Sequence, residues 1–125
     1  MYFANSIRTV AVVAFVALAA ACVKKETSFA QDVHPILKKN CLSCHSPGGQ
    51  GYAASGFSVE SYADVMKGTK NGPVILPGYS ISSTIARLIE HKADPSIHMP
   101  RGRPQLARED LETIKAWINQ GAKNN

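Results

Sequence analysis

Residues 38–49, KKNCLSCHSPGG, decide how the rest of the chain is read. Cys41 and Cys44 flank two residues, and His45 follows at once. Such a trio can serve a zinc ion, a disulfide or a haem. The stretch before it has helical periodicity, so two cysteines three apart put both sulfurs on one side of one turn. That spacing suits two thioether bonds to the two vinyl groups of one haem. His45 is then placed to give a ring nitrogen to the iron. C-x-x-C-H is the attachment signal of c-type haem, and histidine is a common proximal ligand.

The rival sites each lack a part. A structural zinc site needs four ligands, typically from a second Cys or His pair. There is no second C-x-x-C, and His34, His91 and His98 do not give a His-x3-5-His pair. A thioredoxin-like redox pair belongs at the start of a helix that follows a strand in a βαβ setting. No βαβ pattern is present. A Cys41–Cys44 disulfide leaves His45 without a purpose.

Outward from the motif, the chain reads as helical. TSFAQDVHPILKKN offers Thr27 or Ser28 as an N-cap, with Phe29, Val33, Ile36 and Leu37 at helical spacing. Pro35 removes one amide donor there. Residues 46–57 are Gly-rich and aperiodic, so a loop is expected. SVESYADVMKG reads as a short helix capped by Ser58 and ended by Gly68, with Val59, Tyr62, Val65 and Met66 on one face. NGPVILPG is bracketed by Gly-Pro and Pro-Gly pairs and should be extended. SISSTIARLIEHK forms a third helix capped by Ser80 or Ser82, with Ile81, Ile85, Leu88 and Ile89 as its apolar stripe. Residues 91–105 carry three prolines and should be irregular. REDLETIKAWINQG is the last helix, with Glu109 and Asp110 in its first turn and Gly121 as its stop. Ala107 stands where a capping Ser or Asp would serve better. No convincing strand pair appears. The expected fold is all-α, four to five short helices around one covalently bound haem. So small a core gains from a prosthetic group that completes it.

The 125 residues suffice for one domain. The first 21 differ from the rest. Arg8 precedes an apolar run from Val10 to Ala21 that is too short to span a bilayer as a helix. This describes a secretory signal peptide over residues 1–21. The ending LAAAC suits an ordinary signal peptidase or, preferred here, a lipoprotein signal in which Cys22 is lipidated. A spare thiol in an exported protein needs a role. Residues 22–28 would then be a polar tether and 29–122 a mono-haem domain, in the bacterial periplasm or cell envelope. The net charge of +5 is spread without a basic run, so nucleic-acid binding is not indicated.

A six-coordinate haem needs a second axial ligand, and methionine raises the potential. Met66 lies on an apolar helix face, where core packing is the expected role. Met99 sits in SIHMPRGRP, an irregular segment suited to presenting a ligand. His98 beside it is a rival that would make a bis-histidine centre. His34 and His91 are weaker rivals, expected in solvent. Met99 is preferred.

The stretches PILKKNCLSCHSP, GFSVESYADVMKGTKNGPVILPGYSISSTIARLIE and HMPRGRPQLAREDLETIKAWINQGA together resemble the planctomycete-type cytochrome c domain, over about residues 29–122. The resemblance implies crossed N- and C-terminal helices with the haem packed beneath them. It implies thioethers at Cys41 and Cys44, proximal His45 and distal Met99. By the same analogy the carbonyl of Pro73 would accept the other ring N–H of His45, and Trp117 would pack towards the haem. His98 before the ligand methionine is a departure from the pattern.

With both axial positions filled, the iron would only change oxidation state. The expected role is one-electron transfer, without enzymatic activity. Lys38, Lys39, Arg101 and Arg103 flank the motif and the ligand loop, and would attract an acidic redox partner. The rival is a haem-based sensor with a labile sixth ligand. Di-haem peroxidases need two attachment motifs, and this chain has one. A membrane contact is expected only through lipid on Cys22.

Overall fold

The computed structural model describes residues 25–125. The expected signal segment and Cys22 lie outside the described residues. A π-helical turn, Phe29–Val33, runs into helix α1, His34–Cys41. Helices α2 (Gln50–Ser55), α3 (Tyr62–Lys67), α4 (Thr84–Ile89) and α5 (Arg108–Asn119) follow. Short 3-10 turns occupy Ser80–Ser82 and Pro95–Ile97. Among the described residues the only bridge pairing is Thr69 with Gly72. The all-α expectation holds.

Local chemistry explains each start and stop. Ser28 caps the first turn: its Oγ accepts from the Gln31 N–H at 3.1 Å, and its own N–H donates to Asp32 Oδ2 at 2.8 Å. Pro35 falls in the first turn of α1, where its missing N–H costs least. Ser61, not Ser58, caps α3, its Oγ accepting from the Asp64 N–H at 3.1 Å. Ser58 is buried and closes a tight turn with the Glu60 N–H instead. Gly68 ends α3 at φ 80°, where a Cβ would stand 2.5 Å from the Gly72 carbonyl oxygen.

Helix α4 starts at Thr84, later than expected, because Ser80–Ser82 is a separate turn. Ser83 spends its hydroxyl outside the helix, donating to the Tyr79 carbonyl at 2.9 Å and accepting from the Leu76 N–H at 2.9 Å. Ile81 is therefore out of helical register and 81 % exposed, contrary to its place in the expected stripe. Ala107 does precede α5 without a side-chain cap.

The core lies where the first turn crosses α5. Phe29 and Trp117 stand 5.3 Å apart, with Tyr62 edge-on to both. Trp117 is 1 % exposed, and its Nε1–H donates to the Lys123 carbonyl at 2.9 Å. Val33, Leu37, Val59, Val65, Ile114 and Ile118 close the cluster. The first described residues are tied to the C-terminal segment. Thr27 N–H donates to Gln120 Oε1 at 2.7 Å, and Ala30 N–H to the Asn125 carbonyl at 2.9 Å. Residues 25–28, read as tether, are thus bonded to the C-terminal segment, where Lys123 also pairs with Glu26 at 2.6 Å. The expected crossing of the terminal helices is present. Trp117, however, packs on that crossing and not towards the cavity described next.

Candidate functional site

The end of α1 builds the motif. The Cys44 and His45 N–H groups both donate to the Cys41 carbonyl, at 3.1 and 2.8 Å. One tight turn therefore carries all three side chains. Cys41 and Cys44 are free thiols. Burial pushes the Cys41 thiol up to about 11, with Arg103 opposing the shift.

His45 is fixed on three sides. Its Nδ1 lies 3.2 Å from the Phe57 carbonyl, which can only accept, so Nδ1 carries the proton and Nε2 keeps its lone pair. The Phe57 ring contacts it edge-on at 5.3 Å. Backbone of α2 covers the ring at Gly51, where a Cβ would fall 2.6 Å from Cε1 and 2.8 Å from Nε2. Only glycine permits that approach.

Helix α2 itself corrects the expectation of a loop over residues 46–57. Gly51 is a poor helix former, but local propensity yields to tertiary bonds. The Tyr52 N–H donates to the Cys44 carbonyl at 2.8 Å, and Ser55 Oγ to the Gly51 carbonyl at 2.6 Å. Gly56 at φ 74° then ends the helix.

The Pro73 expectation is also corrected. Pro73 is exposed, and the carbonyl bonded to the His45 ring belongs to Phe57. The reason is local. The short α2 turns back towards the motif, and the following strand of chain docks with the Val59 N–H on the His45 carbonyl at 2.9 Å.

Cys41, Cys44 and His45 line a cavity of about 510 Å³, within the range of ligand pockets. Its apolar lining includes Val74, Ile85, Leu88 and Ile89, and Met99 shares it. Arg101 and Arg103 also line it; the Arg103 guanidinium bonds the Asn40 carbonyl. Lys38 and Lys39 are exposed on α1, outside the lining. The donor set suits haem: two unpaired thiols, a histidine with a free Nε2, a thioether, apolar walls, and a glycine cradle against the histidine ring.

The other sulfur and imidazole candidates are elsewhere. Met66 packs against the core. His34 stacks on Phe29 with its Nε2 3.0 Å from the Val59 carbonyl. His98 Nε2 lies 2.7 Å from the Ala93 carbonyl, and the His98 ring stacks on His91 at 4.4 Å. None of these lines the cavity. His34 and His91, expected in solvent, are half-buried like His98, and each of the three engages a backbone carbonyl.

Phe57 and Gly51 were not anticipated as site residues. Gly51 left a signal, a glycine in the Gly-rich stretch just after the motif. Phe57 left none, because a backbone carbonyl has no sequence signature.

Residues 41–101, from the first cysteine to just past Met99, match the family model described as Planctomycete cytochrome C. No curated protein and no solved structure matches the chain.

Proposed function

We propose that this chain, whose residues 41–101 match the Planctomycete cytochrome C family model, binds haem and is an exported one-electron carrier with a single covalently held haem. The observation that supports this best is that one cavity gathers both motif thiols, His45 and Met99. Cys41 and Cys44 would hold the haem as thioethers, and His45 Nε2 and the Met99 sulfur would ligate its iron. When bound, the haem supplies an iron that cycles between the ferric and ferrous states.

The chain's own groups set the conditions for that cycle. The Phe57 carbonyl orients the His45 ring and makes it a better donor. The apolar walls keep water from the centre, and a thioether ligand favours the ferrous form, so both raise the potential. With His45 and Met99 both ligating it, the iron would have no open position for a substrate, which favours an electron carrier over an enzyme. Arg101 and Arg103 at the cavity, with Lys38 and Lys39 nearby on α1, form a positive approach for an acidic redox partner.

No described helix is long and apolar enough to cross a membrane. The apolar run ending at Cys22 supports export and a lipid anchor at that cysteine. Intact-mass spectrometry of the mature protein tests attachment and anchor together. The expected mass carries one haem and one lipid modification. A mass of bare protein with free thiols would overturn the reading. A high-spin spectrum that shifts on adding CO would move the protein to the sensor class.

A further inference from the structure

We propose that His91 is a positioning residue for the distal ligand, holding the Met99 backbone so that its sulfur is presented to the cavity. The inference rests on the reading of Met99 as that ligand.

Met99 lies in a segment with little regular structure, yet both its backbone groups are bound. Its N–H donates to the Leu88 carbonyl at 3.2 Å, and its carbonyl oxygen lies 3.2 Å from His91 Nε2. A carbonyl only accepts, so the His91 ring is the donor. Both anchors come from the last turn of α4 and the residue pair that ends it. The ligand segment is thereby fastened to a helix whose Ile85, Leu88 and Ile89 line the same cavity.

His91 is set up for this task at some cost. Its φ is 55°, the left-handed region that suits Gly or Asn. A histidine at a helix end in that conformation needs a reason, and the bond to Met99 supplies one. The conformation is held by its own N–H, which donates to the Leu88 carbonyl at 3.2 Å. The ring is also prevented from swinging away. His98 stacks on it at 4.4 Å with planes 10° apart, and His98 is pinned in turn through Nε2 to the Ala93 carbonyl at 2.7 Å. Two of the histidines that rivalled Met99 as ligands thus stack together, one of them bonded to its carbonyl.

The test compares variants of the holoprotein by the rate of CO binding to the ferrous iron, which reports how often the methionine lets go. Met99→Ala is the reference and should bind CO fast. His91→Asn keeps a residue suited to positive φ but is too short to reach the carbonyl. It should bind CO about fivefold faster than the parent, the size of effect one lost hydrogen bond produces. His91→Gln carries an amide donor near the position of Nε2 and should return the rate towards the parent value. Thermal unfolding of each variant separates loss of ligand control from loss of fold. If Met99→Ala binds CO no faster than the parent, the ligand assignment itself fails. If Met99→Ala is fast and His91→Asn is not, the positioning role fails. Nitrogen NMR of the parent protein gives a check that needs no variant. A scalar coupling from His91 Nε2 to the Met99 carbonyl is expected, and its absence would refute the bond.

Discussion

The two halves of the cavity are built in different ways. The side that carries Cys41, Cys44 and His45 comes from one unbroken stretch, Cys41 to Phe57, closed by short-range backbone bonds within a single turn and a short helix. The side that carries Met99 comes from an irregular segment held at a distance, by Leu88 of α4, by His91 just after that helix and by α1 through Asn40. The first half is a rigid seat in which a glycine has no room for a Cβ. The second is a strap fastened at a few points. A ligand on a strap can be tuned or released by single substitutions, whereas a ligand in a seat is lost or kept.

The largest effect should come from the seat. Cys41→Ala with Cys44→Ala should abolish covalent haem altogether, seen as colourless protein after denaturing electrophoresis and haem staining. Retained colour would mean the attachment lies elsewhere. Next is the shared foundation. Trp117→Ala should lower the unfolding free energy by about 3–5 kcal/mol, the range for removing a buried aromatic. Because Trp117 packs on the helix crossing and away from the cavity, the axial-ligand spectrum of whatever folds should be unchanged. An altered spectrum would mean the two regions are not separable.

Gly51→Ala sharpens the contrast further. The new methyl would stand within 2.9 Å of three atoms of the His45 ring. Overpacking of that kind costs about 1–3 kcal/mol, and here it should also reduce haem incorporation during expression. A variant as stable and as haem-rich as the parent would show that the seat is less tight than described.

The smallest expected effect is on the fastening of α4 to α5. Glu90 sits between Lys115 at 2.8 Å and Lys92 at 3.3 Å. Burial pushes the Glu90 carboxyl up, but hydrogen bonds and charge from the two lysines outweigh it and hold the group below its ordinary value. A carboxylate depressed in the folded state adds stability above its ordinary pKa, and that stability fades as pH falls through the lowered value. Glu90→Gln should therefore cost about 1 kcal/mol or less near neutral pH, the lysines being partly in solvent. The difference from the parent should vanish in acid. Equal stability at neutral pH would assign the pair no role.

The same contrast explains what could be read from the sequence. The helical class, Leu111, Ile114 and Ile118 on α5, and the cysteine–histidine motif all depend on neighbours within a few residues, so periodicity and spacing exposed them. The preference for Met99 over His98 drew on the irregular backbone around it, and the structure puts Met99 on the cavity lining and His98 off it. Helix α2 escaped because glycine propensity argued against it while bonds from the motif's own carbonyl favoured it. Pro73 and Trp117 were carried over by resemblance. The Phe57 carbonyl and the packing of Trp117 on Phe29 depend on how distant segments meet, which no local pattern encodes. His34 and His91 looked like idle surface histidines for the same reason.

The most direct test of the whole account is the weak methionine-to-iron absorption of the ferric protein. It should be present in the parent, absent in Met99→Ala and retained in His98→Ala. Its absence from the parent, or its survival in Met99→Ala, would contradict a haem held between His45 and Met99.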